Sequence, residues 1–166
     1  LMTLLWLKKD GARFVAVSDP SPERRALATK LGADRVYDPT EVNLEAALAA
    51  DLTPPDRDTT PSYGRPATKP APAVVFECVG IPGTLHTAMT LVQTRGTVVV
   101  VGVCMQPDTI TPLLGINKQL ALQFVLGYTG PEYAEALAAI TDGSVDTSPL
   151  VTRTVSLDEL PATFTA

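Results

Sequence analysis

Asp19 is the residue of this sequence whose type and place carry the most chemistry. It closes the apolar run at 14–17. A carboxylate at the end of the second strand of a dinucleotide-binding fold accepts hydrogen bonds from the hydroxyls of an adenosine ribose. In that pattern the acid follows a glycine-rich phosphate loop by roughly 20 residues, and counting back from Asp19 reaches Leu1. The loop and the strand before it are therefore expected upstream of Leu1, with the sequence starting inside the first helix. Asp19-Pro20 also reads as a plain turn. Two other segments lie where strands should end, Cys78-Val79-Gly80-Ile81 and Gly102-Val103-Cys104, and ligands of open α/β sheets bind at such carboxyl ends.

The remaining reactive side chains are few. Cys78, Cys104 and the single histidine, His86, are too few for a four-ligand zinc site and contain no Cys-x-x-Cys. The two cysteines read as reduced thiols of a cytoplasmic protein. His86, between Leu85 and Thr87 in a helical stretch, reads as a surface or groove histidine, so no metal ligand is assigned. With 13 Lys+Arg against 18 Asp+Glu the net charge is −5, and no basic block exceeds a pair; this excludes a nucleic-acid partner. The apolar runs fall well short of the roughly 20 residues of a membrane span. In the opening apolar run the positive charges follow rather than precede it, which is wrong for a secretion signal. No membrane partner is expected.

The chemistry needs a scaffold, and the pattern supplies one. Helices are expected over 1–9, closed by Gly11, and from Pro22, with Ser21 as cap, carrying Ala26, Leu27 and Leu31 inward to Gly32. Another covers 43–50. A fourth carries Leu85, Ala88, Met89 and Val92 and ends at Gly96; a fifth spans 132–141. Ser156 and Glu159 form a capping box that opens a last helix. Strands are expected at 14–17, 35–37, 73–78, 97–101, 120–126 and 151–155, several as continuous apolar runs typical of strands buried on both faces. The stretch 53–72 holds six of the 15 prolines and reads as a mobile loop. Single helices between apolar strands specify a doubly wound, open parallel α/β sheet.

The whole chain resembles the cofactor domain of the medium-chain dehydrogenase/reductase family, the zinc-type alcohol and polyol dehydrogenases. The resemblance is carried by Val17-Ser18-Asp19 with Glu23-Arg24-Arg25-Ala26, by Leu31-Gly32-Ala33-Asp34, by Val75-Phe76-Glu77-Cys78-Val79-Gly80, by Gly96-Thr97-Val98-Val99-Val100-Val101-Gly102-Val103, and by the tail Val155-Ser156-Leu157-Asp158-Glu159-Leu160-Pro161. It implies that residues 1–166 are a Rossmann-type dinucleotide-binding domain lacking its first strand and glycine loop. Asp19 would take the ribose hydroxyls and Arg24 would support the same ribose, although Arg24 also reads as an exposed helix charge paired with Glu23 or Asp19. Val79 would wall the adenine, or serve as a core valine. Val101, Gly102 and Val103 would pass the nicotinamide, and Gly102 would permit close approach.

The resemblance further implies NAD rather than NADP, because a carboxylate repels a 2′-phosphate. It implies hydride transfer between an alcohol or polyol and NAD, with zinc held in a separate catalytic domain whose ligands are not in this sequence. The fragment alone is expected to be inactive, and no catalytic residue is named. Segment 109–128 matches the region where family members pair strands between subunits, so a homo-oligomer is expected; an ordinary last strand with a solvated loop is the other reading. Phe124 is bulky where relatives carry a small residue. In the strand order 3-2-1-4-5-6 the absent strand is central, which leaves the ladders on either side of it unpaired. A noncatalytic nucleotide-binding or oligomerisation module, and a methyltransferase, remain as other readings of the same fold.

Overall fold

A computed structural model describes residues 1–52 and 71–165. Of the proline-rich stretch 53–72 only Ala71 and Pro72 fall within the described residues. In chain order the elements are α1 (Met2–Lys9), β1 (Ala16–Ser18), α2 (Pro22–Lys30), β2 (Arg35–Tyr37), α3 (Leu44–Asp51), β3 (Val74–Glu77), α4 (Thr84–Leu91), β4 (Thr97–Val100), α5 (Pro112–Lys118), β5 (Ala121–Phe124), α6 (Gly130–Thr141), a 3₁₀ turn (Ser148–Leu150) and α7 (Leu160–Phe164). The chain divides into two units, Leu1–Thr40 with Tyr128–Ala166, and Glu41–Gly127.

In the first unit, α1 stops because Gly11 adopts φ +76°, open to glycine without strain. The amides of Gly11 and Ala12 then reach back to the carbonyls of Lys8 (3.1 Å) and Leu7 (2.8 Å). α2 starts where Ser21 Oγ accepts from the amide of Arg24 and Pro22 fills the first helical position. β1 and β2 pair in parallel from Ala16↔Arg35 to Ser18↔Tyr37. Leu4, Val15 and Ala28 are buried together, with Leu7, Val17, Leu31 and Val36 packed around them. Ala28, not Ala26, is the buried alanine of α2; Ala26 is exposed. The sequence pattern was offset because Ala-Leu-Ala offers apolar residues on adjoining faces.

The second unit shows the clearest match of helical and strand periods. Val98 and Val100, two apart on β4, point to one face, and Ala88, Met89 and Val92 lie on one face of α4 and its end. Met89, Val92 and Val98 are the largest fully buried side chains, each worth about 1.5–3 kcal/mol of burial. β4 pairs in parallel with β3 (Val75↔Val98) and with β5 (Val98↔Leu122). The described strands form two separate parallel sheets, β1-β2 and β3-β4-β5.

Several expectations are corrected. No strand forms at 151–155: the 3₁₀ turn precedes it, and the backbone from 151 to 156 pairs with no strand. Its apolar alternation is only Val151 and Val155. The strand expected over 120–126 shortens to β5. Residues 112–118, left without an element by the sequence pattern, form α5 despite Gly115, and Leu114 packs it onto the core. α4 ends at Leu91, five residues before Gly96, which instead lets the chain turn tightly: a Cβ there would lie 2.5 Å from Val92 Cγ2. The Glu159 carboxylate does accept from the Ser156 amide (2.9 Å), but the helix begins only at Leu160.

Candidate functional site

The first strand-end turn joins β1 to α2. It contains Pro20 and Pro22, which have no N–H, so it is short of donors. Asp19 Oδ1 accepts from the amide of Ser21 at 2.8 Å, an Asx turn that shapes the entry to α2. The other oxygen, Oδ2, lies 3.6 Å from the Arg24 guanidinium, and the Asp19 side chain is 23% exposed while that of Arg24 is 67% exposed. One carboxylate oxygen is thus built into the turn; the other faces a long, solvated ion pair that a better donor can displace. Arg25, beside it, reaches back to the carbonyls of Asp19 (2.8 Å) and Pro20 (2.7 Å) and pairs with Asp38 Oδ2 (2.8 Å) past the end of β2. Thr40, through its hydroxyl and then its amide, holds the Asp38 carboxyl below the ordinary carboxylate range.

The second strand-end turn joins β3 to α4. Glu77 is the buried charged residue of the described structure, 6% exposed. Its Oε1 accepts from the amides of Val79 (2.7 Å) and Gly80 (2.9 Å), and its carbonyl from those of Val101 and Gly102. The loops after β3 and β4 are therefore joined through one residue. They touch so closely that a Cβ on Gly102 would lie 2.3 Å from Gly80 N, and one on Gly80, at φ +73°, would lie 2.5 Å from Val103 N. Between these loops, α4 and the end of β5 is a cavity of about 240 Å³, lined among others by Glu77, Thr84, Gly102, Gln106, Asp108 and Phe124. Asp108 Oδ1 accepts from the amide of Gly83, the residue capping α4. A larger open hollow, about 490 Å³, lies beside Ile140, Gly143 and Asp146 of the first unit, away from any strand end, and Asp146 there is engaged by Ser148.

The residues expected from sequence fall into two groups. Asp19 and Arg24 meet in the first unit. Val79 (64% exposed), Val101 (39%), Gly102 and Val103 (64%) gather around the Glu77 loop in the second. Val79 is thus an open surface and not a core valine. Gly102 does permit a close approach, and the group approaching is the Gly80 backbone. Arg24 pairs with Asp19, one of the two partners that its reading as a surface helix charge named. Sequence reasoning passed over Glu77 and Arg25. A charge at the end of an apolar strand run, followed by Cys-Val-Gly, was the available signal for Glu77; for Arg25 there was none beyond membership of a charged pair. His86 is half-buried in α4. Among the described residues no three His, Cys, Asp or Glu side chains gather into a set that could hold a metal ion.

Comparison with known proteins adds the following. The family model described as zinc-binding dehydrogenase matches residues 1–142. Scyllo-inosose 3-dehydrogenase of Thermotoga maritima is 29% identical over 161 residues, 93% of this chain and 37% of that protein. A putative zinc-binding dehydrogenase from Sinorhizobium meliloti 1021, solved bound to NADP, superposes with a TM-score of 0.80 at 22% identity, covering 99% of this chain and 44% of that one. A short chain alcohol dehydrogenase from Escherichia coli CFT073, complexed with NADH, superposes with a TM-score of 0.81 at 17% identity, covering 98% and 43%. The chain spans about two fifths of the length of these proteins.

Proposed function

The chain belongs to the zinc-binding dehydrogenase family, and on that premise we propose that it is the cofactor-binding portion of an oxidoreductase that moves a hydride between an alcohol or polyol carbon and NAD. The observation that carries this reading is Asp19 at the end of β1, with one carboxylate oxygen fixed by Ser21 and the other facing solvent beside Arg24. Bound NAD supplies the hydride acceptor. What the residues of this chain do is hold and orient it. Asp19 would accept from the 2′- and 3′-hydroxyls of the adenosine ribose, and Arg24 would support the same sugar. Its negative charge opposes a 2′-phosphate, which favours NAD. Val79 covers the adenine, and Val101, Gly102 and Val103 carry the backbone past the nicotinamide. The cavity at the ends of β3, β4 and β5, about 240 Å³, is below the roughly 300–1,000 Å³ of sites that take a whole ligand.

The residues described offer no ligand set for the family's zinc, so no step of this proposal runs through it. The other partner proposed is a second copy of the chain. β5 is an edge strand with Ala121, Gln123 and Phe124 exposed, and an exposed edge is a template for pairing; sedimentation of the intact protein as a monomer at all concentrations counts against it. A cytoplasmic location is supported by two exposed thiols, Cys78 and Cys104, which suit a reducing compartment. No helix of the described residues is long and apolar enough to cross a membrane.

The test is the absorbance of NADH formed when the intact protein is given NAD and a panel of secondary alcohols and polyols. Turnover of at least one supports the reading. NAD binding without turnover of any of them would favour a noncatalytic nucleotide-binding module.

A further inference from the structure

We propose that Arg25 is a positioning residue for the adenosine ribose: it fixes the backbone of the Asp19 turn by joining it to Asp38 at the end of the neighbouring strand. The inference rests on the reading that Asp19 holds that ribose. Three acceptors converge on one guanidinium nitrogen, Arg25 Nη1, at 2.7–2.8 Å: the carbonyls of Asp19 and Pro20, and Asp38 Oδ2. No backbone amide of the described residues serves these two carbonyls. They precede α2, so no helical N–H reaches them, and the prolines at 20 and 22 remove two of the amides that a turn ordinarily offers.

The contrast with Arg24 supports the assignment. Arg24 is 67% exposed and 3.6 Å from its partner, whereas the Arg25 and Asp38 side chains are only 22% and 20% exposed at 2.8 Å. Asp38 is itself braced, since its Oδ1 accepts from both the amide (2.9 Å) and the hydroxyl (2.6 Å) of Thr40. The strand ends are tied once more by the Asp19 amide donating to the Tyr37 carbonyl at 3.2 Å. Arg25 therefore completes a closed path from the end of β2 to the peptide that carries the Asp19 carboxylate. All three contacts are made by one nitrogen, so what this path needs is a cationic donor at that point and not the planar fork of a guanidinium.

The experiment is calorimetric titration of the intact protein with NAD, ADP-ribose and nicotinamide mononucleotide, on the parent and on Arg25→Met, Arg25→Lys, Asp38→Asn and Asp19→Ala. Asp38→Asn keeps an oxygen for Thr40 and removes the charge facing Arg25, so it serves if Arg25→Met does not fold. Arg25→Met and Asp38→Asn are each expected to weaken NAD and ADP-ribose together by about tenfold, as expected for losing a charged hydrogen bond. Arg25→Lys, which keeps one cationic nitrogen for these acceptors, should recover most of that loss, and nicotinamide mononucleotide, which has no adenosine ribose, should be unaffected throughout. Unchanged ADP-ribose affinity in Arg25→Met and Asp38→Asn, with Asp19→Ala still weakened, overturns the role of Arg25 alone. Equal weakening of all three ligands also overturns it, because a general loosening of the fold moves them together. If Asp19→Ala leaves ADP-ribose binding unchanged, the ribose reading itself fails.

Discussion

The two strand-end turns solve one backbone problem with opposite means. After β1 and after β3 the chain must leave a strand and enter a helix, and each time a carboxylate collects amides that would otherwise be orphaned: Asp19 takes Ser21, and Glu77 takes Val79 and Gly80. Glu77 does so from a buried position and its loop is wedged against Gly102. Asp19 does so at the surface, with arginines on both sides and one oxygen left toward solvent. The buried turn is shaped by packing and the exposed turn by charge. The candidate chemistry rests on Asp19, whose second oxygen lies at the surface beside the Arg24 cation, while Glu77, from which the loops after β3 and β4 both hang, is read as structural.

Substitution should break this contrast in a definite order. Gly102→Ala is expected to cost about 3 kcal/mol, because the new methyl meets backbone at Gly80 and cannot be relieved by a side-chain rotation; urea denaturation reads it. Glu77→Gln should cost about 1–2 kcal/mol, as a neutral acceptor replaces a charged one for the same two amides. In the other turn, Ser21→Ala removes the cap of α2 and should cost about 1 kcal/mol. Asp19→Asn keeps an oxygen for the Ser21 amide and loses only a solvated ion pair, so its stability should change by about 0.5 kcal/mol or less. A larger loss for Asp19→Asn than for Glu77→Gln, by thermal or urea denaturation, contradicts the division into a packed turn and a charged one.

An effect of similar small size lies elsewhere in the first unit. The Lys8 ammonium and then the Val15 amide hold the Asp34 carboxyl below its ordinary value. Its stabilisation is complete above the unfolded value, about pH 3.9, and is lost as pH falls through the lower folded value. The pair is partly exposed, so about 0.5 kcal/mol is involved. Asp34→Asn should flatten the acid limb of stability against pH by that amount and leave stability above pH 5 about as much lower.

Much of the scaffold was legible because its signals are local. Gly11, Ser21 with Pro22, and the Leu85, Ala88, Met89, Val92 spacing each state their structure within a few residues. What was not legible depends on partners distant in sequence. α5 forms because Leu114 packs onto a core made elsewhere, overriding Gly115, and residues 151–155 carry strand-like residues but find no strand to pair with. At the candidate site the position of Asp19 was legible from its place after an apolar run. The triple engagement of Arg25 was not, since Asp38 lies 13 residues away and nothing in the pair Arg24-Arg25 says which one turns inward.

The central claim, that Asp19 grips a ribose lacking a 2′-phosphate, is tested most directly by calorimetric titration of the intact protein with NAD and with NADP, before and after Asp19→Asn. The parent should bind NAD more tightly than NADP. The substitution should weaken NAD by about tenfold, as for a lost charged hydrogen bond, while the gap between the two cofactors narrows because the charge opposing the phosphate has gone. Equal affinity for both cofactors in the parent, or an NAD affinity indifferent to the change, contradicts the account.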